Sequence, residues 1–261
     1  MEYQEKNSNT IDSWVDEGWK WSMPLTHEEF ESVRNGTSFP LFLTPTKAIP
    51  KSWLGDLLGK KVLALASGGG QQSAILSASG AMVTVLDNSI NMLEKDEEVA
   101  KREGYFVKLI KHDMTKGLPF PDGEFDVIVN PISNCYIEEV LPLWRECHRV
   151  LKYGGILVAG TEMGLVYALS RENEAMIENP LPYNPLRSER SRKDAEEHPE
   201  DGVQFSHTIE ENIQGQIDAG FVITNIFSDT AGYGILEEMN ITTYLATRAV
   251  KMTDDRIQIS D

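Results

Sequence analysis

"VLALASGGGQQS", Val62 to Ser73, is an apolar run that breaks into three consecutive glycines and then two glutamines. The run reads as a buried strand, and "SAILSASG" (73–80) after it reads as a helix closed by Gly80. A strand that ends in glycines and turns into a helix presents backbone N–H groups and a helix N-terminus to whatever lies above it. Glycine suits such a place because a Cβ would hold a ligand away from the backbone. The second piece is Asp87, which closes the next β-run "AMVTVLD" (81–87), 19 residues after Gly68. That spacing is close to the ~20 residues expected of an acid that binds ribose hydroxyls. Together, loop and acid point to a nucleoside-containing ligand. The plain structural alternative is a glycine turn beside an acid that caps the next helix.

Outward from this stretch the texture repeats. "SINMLEKDEEVAKREG" (89–104) reads as a helix, "YFVKLIKHD" (105–113) and "FDVIVNP" (125–131) as strands, "YIEEVLPLWRECHRVL" (136–151) as a helix and "GGILVAG" (154–160) as a fifth strand. Gly80, Gly104 and Gly154 each follow a helical pattern, where a left-handed C-cap is wanted. Short apolar runs alternating with helices imply a parallel sheet covered on both faces. Thr208 with Glu211 three residues on forms a capping box that opens a helix ending at Gly220. Two further β-runs follow, "FVITNIFSD" (221–229) and "TTYLATRAV" (242–250).

The expected domains are an N-terminal helical and loop cap over residues 1–58, a main domain over 59–251 with a lid insertion at 161–206, and a frayed tail over 252–261. The cap holds four of the five tryptophans, Trp14, Trp19, Trp21 and Trp53. In it, His27 reads as the first turn of a helix capped by Thr26. Forty-one acidic against 24 basic residues give a formal net charge of −17, so the average surface repels nucleic acid and anionic lipid. Two cysteines fit a reducing compartment better than a disulfide framework. The polar opening "MEYQEKNSNT" lacks an apolar signal region, and no run of about 18 apolar residues occurs. The expectation is a soluble, cytoplasmic protein with no membrane partner; the sequence is silent on oligomeric state.

Two ligand classes use a glycine loop followed by a strand-end acid: nicotinamide or flavin dinucleotides, and S-adenosylmethionine. From Lys60 to about Val250 the chain resembles the class I S-adenosylmethionine-dependent methyltransferases. "VLALASGGG" sits where that family reads hydrophobic-x-D/E-x-G-x-G-x-G, "VTVLDNSINML" resembles its second strand, and "KHDM" the end of its third. "LPFPDGEFDVIVNP" and "RECHRVLKYGGILVAG" resemble its fourth strand and its helix, Gly-Gly turn and fifth strand. The resemblance implies a three-layer α/β Rossmann-like fold with a seven-stranded, mostly parallel sheet whose last strand is antiparallel. It also implies methyl transfer from S-adenosylmethionine, leaving S-adenosylhomocysteine. The chain departs from the family at Ala64, where an acid is usual, and at Ala66, which replaces the first glycine.

What the resemblance implies for the cofactor is a set made of Ser67, Gly68, Gly69, Gly70, Gln71, Gln72, Asp87, Asn88, Met92, Asp113, Met114, Asn130 and Pro131. Asp87 would bind the ribose, Asp113 the adenine amino group, and Met114 the ring. Ser67, Gln71 and Gln72 are expected to replace the missing charge with uncharged hydrogen bonds. Asn130-Pro131-Ile132-Ser133 superficially resembles the N-P-P-Y motif of enzymes that methylate amino groups of nucleic acids and proteins, without its second proline and its aromatic residue. Candidates for the acceptor pocket are Trp19, Trp21, Asn134, Cys135, Tyr167 and Tyr183. His207 and Tyr136 are the catalytic candidates, with an exposed loop histidine as the plain alternative for the former. No Cys/His cluster has ligand spacing, so no metal is expected. A roofed cavity suits a small-molecule acceptor; a non-catalytic cofactor sensor and a dinucleotide oxidoreductase are the competing readings.

Overall fold

A computed structural model of the chain describes residues 2–252. All but the first residue of the expected frayed tail therefore lies outside the described residues. The central sheet has seven strands: β1 Lys61–Leu65, β2 Met82–Asp87, β3 Val107–Lys111, β4 Phe125–Asn130, β5 Leu151–Glu162, β6 Phe221–Asp229 and β7 Tyr244–Lys251. Their order is β3-β2-β1-β4-β5-β7-β6. The first five run parallel, and β7 is antiparallel to both its neighbours, β5 and β6. The expected seven-stranded Rossmann-like sheet is thus present, with its closing strand reversed.

Alternation along the strands builds a core on each face. Val62, Ala64, Val83, Val85, Val127 and Val129 pack with Ile75 and Leu76 of helix α3, Gln72–Ala78, and with Leu93 and Val99 of α4, Ile90–Glu103. Leu63, Leu65, Leu86, Ile128 and Leu157 point the other way, onto Leu143, Trp144 and Cys147 of α5, Leu141–Val150. Both faces are apolar, as a parallel sheet buried between helical layers requires. Helix α4 is closed as its sequence predicts: the Ser89 hydroxyl accepts from Met92 N–H, and Gly104 takes the left-handed conformation. Helix α5 begins later than expected, with Pro142 in its first turn. Gly154 does not cap a helix; its positive φ falls within β5, where the register with β4 shifts.

The N-terminal residues form helices α1, Tyr3–Asp16, and α2, His27–Arg34, joined and followed by loops. Thr26 and Glu29 make a full capping box at α2, and Thr208 and Glu211 make another. That second box opens a π-helical turn, Glu210–Gln214, which runs into α8, Gly215–Asp218. Helix α1 buries polar side chains rather than an apolar stripe. Asn7 donates to the carbonyl oxygens of Tyr136 and Val203 and accepts from Val203 N–H, at 3.2, 2.9 and 2.7 Å. Ser8 donates to the Asn88 carbonyl at 2.6 Å, and Asn88 returns a bond to the Gln4 carbonyl.

The segment after β5 carries the short helices α6, Leu165–Ala168, and α7, Glu189–Glu197, and one more, α9, Gly234–Glu238, precedes β7. The 161–206 stretch is fastened to the body: Phe205 N–H donates to the Cys135 carbonyl at 2.7 Å, and Arg187 pairs with Glu138 and Glu139; Arg171 ties the stretch to itself through Asp194 and Asp201.

The loop at Leu43 crosses directly over β5. A Cβ added to Gly160 would lie 2.0 Å from the Leu43 carbonyl oxygen. Gly160→Ala is expected to destabilise the protein by about 1–3 kcal/mol, because backbone rather than a pliable side chain must move. Urea unfolding measures this, and an unchanged midpoint would show that the crossing loop yields freely.

Candidate functional site

A cavity of about 810 Å3 opens over the carboxyl ends of β1, β2, β4 and β5, where ligands of open α/β sheets lie. One end is walled by Ser67 and Gly68 after β1, Asp87 and Asn88 after β2, Met92 on α4, and Asp113 and Met114 after β3. Helix α1 covers this end with Gln4, Asn7, Ser8 and Ile11, and Trp19 and Trp21 add to the cover. Asp87 is buried, and its oxygens accept from Gly68 N–H at 3.0 Å and Ser89 N–H at 2.9 Å. Burial pushes its carboxyl above the usual range, against the pull of these donors. Two buried oxygens here have no hydrogen bond, Ser67 Oγ and Asp113 Oδ2, although the Lys116 ammonium stands 3.6 Å from the latter. Buried polar atoms are seldom left so, and these fit a polar ligand in the cavity.

The glycine loop is held from below. Asp96, fully buried on α4, accepts from Gly69 N–H at 3.1 Å, from Gly70 N–H at 3.2 Å and from the Ser73 hydroxyl. A Cβ at Gly68 would meet Met92 Cβ at 2.7 Å, at Gly69 the Trp21 carbonyl oxygen at 2.7 Å, and at Gly70 Val99 Cγ2 at 2.8 Å. Gly69 and Gly70 also have positive φ. The glycines are therefore bare chiefly because protein packs against them. Ala66 keeps the left-handed backbone, φ 47°, of the glycine it replaces.

The other end of the cavity is lined by Cys135, Tyr136, Glu162, Tyr167 and Tyr244. Burial pushes the Cys135 thiol up to about 12 and holds the hydroxyls of Tyr136 and Tyr167 well above the ordinary tyrosine value. All three stay protonated at neutral pH, so Cys135 is no nucleophile. Glu162, the last residue of β5, is 4% exposed. Backbone amides of Gly164, Val166 and Met163 lie at its carboxyl, yet neither oxygen closes a hydrogen bond of ordinary geometry. Desolvation pushes this carboxyl up to about 8.

A family model described as a methyltransferase domain matches residues 63–159. The uncharacterised methyltransferase YbaJ of Bacillus subtilis (strain 168) is 39% identical over 253 residues, spanning 94% of this chain and 97% of that protein. The chain belongs to the S-adenosylmethionine-dependent methyltransferase family. It is also similar to the demethylmenaquinone methyltransferase of Geobacillus stearothermophilus, at 38% identity over 104 residues, 38% of this chain and 44% of that protein. An S-adenosylmethionine-dependent methyltransferase from Mesorhizobium loti shares the fold, with a TM-score of 0.58 and 21% identity over 77% of this chain and 94% of that one. This methyltransferase is an enzyme.

Several expected site residues of the methyltransferase sit elsewhere than its sequence suggests. Gly69, Gly70 and Gln71 are not in the cavity wall. The first two spend their amides on Asp96, and Gln71 donates to the carbonyls of Lys20 and Met23. Gln72 does line the cavity, with its amide 3.4 Å from the Phe42 carbonyl. Pro131 lines it, whereas Asn130 is tied beneath to the Leu65 carbonyl and Ser133. Asn134 bonds Asn212. Tyr183 stands behind the wall, stacked on Tyr167 at 5.1 Å and bonded to Asp194.

His207 is neither an exposed loop residue nor a base facing the cavity. It is buried, and its Nε2 lies 3.0 and 3.1 Å from the carbonyl oxygens of Asn134 and Ile137, so that nitrogen carries the proton and donates. Such a contact is visible only in three dimensions. Glu162 and Tyr244 were missed because their strands end where the apolar pattern gives way to loops. An acid closing a strand, as Asp87 and Asp113 do, was the available signal for Glu162.

Desolvation raises the Asp96 carboxyl from 3.8 to about 7. The fold thus keeps a proton there that the unfolded chain has released, and this lowers stability as pH rises across that window. The stability of wild type minus that of Asp96→Asn, from urea unfolding, is expected to fall between pH 4 and pH 7. A difference constant with pH would show that folding leaves the Asp96 carboxyl unshifted.

Proposed function

We propose that the cavity is the methyl-transfer site of a small-molecule methyltransferase, with the cofactor at the Asp87 end and the acceptor at the Glu162 end. The observation that carries this reading is the buried Asp87 at the carboxyl edge of β2, with the Ser67 and Asp113 oxygens that lack a hydrogen bond in the same cavity. In this reading Asp87 accepts the ribose hydroxyl protons, Asp113 receives the adenine amino group and Met114 packs on the ring. Ala64 is fully buried among valines of the sheet, where a carboxylate would be costly. The methionine end is then left to Ser67 and Gln72, both at the cavity wall.

The cofactor supplies an electrophilic methyl group on sulfonium. The chain's part is to align the acceptor and exclude water, which can lower the barrier by several kcal/mol without covalent participation. Helix α1 and the 161–206 segment supply the cover, and a covered cavity of about 810 Å3 has room for a small molecule beside the cofactor. The reading includes a cytoplasmic setting, supported by two free and buried thiols, Cys135 and Cys147.

Calorimetry with S-adenosylhomocysteine tests the assignment. Asp87→Asn is expected to weaken binding by about tenfold or more, the worth of a charge-assisted hydrogen bond. Gln71→Ala, whose side chain ties the loop to Lys20 and Met23, is expected to leave affinity nearly unchanged. Equal affinities for wild type and Asp87→Asn would move the cofactor elsewhere.

A further inference from the structure

We infer that Glu162 is the anchor for a primary or secondary amine acceptor: its carboxylate pairs with the ammonium and takes up the proton that the nitrogen loses before methylation. The inference rests on the reading above, in that the Asp87 end must hold the cofactor. Glu162 is a buried carboxyl in a cavity wall, with no charged partner among the described residues; the backbone amides of Met163, Gly164 and Val166 lie beside it, and none closes a hydrogen bond of ordinary geometry. A buried acid kept only for structure would be paired or bonded, because an uncompensated charge is costly to bury. The amides of Gly164 and Val166 at the start of α6 lie near this carboxyl, but that helix has only four residues and the amides carry no full charge to balance a carboxylate.

The groups that face Glu162 are Cys135 from the turn after β4, Tyr167 from α6 and Tyr244 from β7, and none carries positive charge. Other charges in the wall are already matched. Arg171 pairs with Asp194 and Asp201 at 3.2 and 2.6 Å, His112 faces the Gly117 carbonyl, His198 lies by Glu200, and Glu174 accepts from Ile235 N–H. An anionic acceptor would find no free cation there among the described residues. A cation would find the Glu162 carboxyl, with the aromatic side chains of Tyr136, Tyr167 and Tyr244 in the same wall.

The proton balance closes within these groups. The ammonium N–H bond breaks and a carboxyl O–H bond forms, which frees the nitrogen lone pair. As the new N–C bond forms and the S–C bond breaks, the sulfur keeps the electron pair and the nitrogen regains its positive charge. The proton on Glu162 then leaves to water.

Ligand-observed NMR titrations in the presence of S-adenosylhomocysteine test this with isosteric pairs, hexylamine against hexanol and phenethylamine against phenethyl alcohol. Each amine is expected to bind about tenfold tighter than its alcohol. Glu162→Gln should abolish that preference and leave S-adenosylhomocysteine affinity within about twofold. In wild type, amine affinity should also rise as pH passes through about 8, where the empty carboxyl ionises, while alcohol affinity stays level. This arm holds even if the variant fails to fold. Equal binding of amine and alcohol, binding of neither, or a preference that survives in Glu162→Gln overturns the inference. Loss of S-adenosylhomocysteine affinity in Glu162→Gln overturns it as well, by making Glu162 a cofactor ligand. Failure of wild type to bind S-adenosylhomocysteine would instead sink the parent reading.

Discussion

Two buried carboxylates hold the loop on which the site is built. Asp87, at the end of β2, takes the amide of Gly68, and Asp96, from α4, takes those of Gly69 and Gly70. The loop that leaves β1 is thereby locked onto the strand and helix that follow it. The Asp87 end of the cavity is built on that lock: Ser67 lines the cavity, Met92 is set against Gly68, and α4 lies close enough that no Cβ fits between. The lock is made entirely of the protein's own groups. Its cost is a carboxyl kept in apolar surroundings, which is why Asp96 ionises only near pH 7.

The cover over the cavity follows a different rule. Helix α1 docks through Asn7, Ser8 and Asp12, whose bonds go to backbone groups and to Ser89 and Asn91. Fully satisfied polar contacts fix one orientation, because a shift of one residue would leave buried donors and acceptors unpaired. Asn7 and Ser8, which tie α1 down, also line the cavity, so the cover and the wall are one element. The 161–206 segment is held by Arg187 on Glu138 and Glu139, by Asn7 of α1 on Val203 and by the bond from Phe205 N–H to the Cys135 carbonyl, and its Tyr167 lines the same cavity as Glu162.

Most of the sheet was legible because it depends on local pattern. Alternating apolar runs, Ser89 and Gly104 at the ends of α4, and the Thr26 and Thr208 capping boxes are each decided by residues within a few positions of one another. Asp87 was legible for the same reason, as an acid closing a strand. The glutamines illustrate where such reading stops. Gln71 and Gln72 are adjacent and chemically identical, yet one faces the carbonyls of the N-terminal loop and the other the cavity, as their different placement at the start of α3 dictates. Gly154 failed for a related reason, since a positive φ serves a strand irregularity as well as a helix end.

The sequence by itself determined the fold class, the order of strands and helices, the family and the acid at the end of β2, because these rest on periodicity and on motifs that are contiguous in the chain. Only the tertiary structure decided what shares the cavity. His207 is withdrawn from it by two carbonyls some 70 residues away, at Asn134 and Ile137. Glu162 is delivered to it because β5 runs two residues past the strand "GGILVAG" and ends beside Cys135, Tyr167 and Tyr244. Burial pushes that carboxyl up to about 8, and the burial arises only when residues distant in sequence are folded around it.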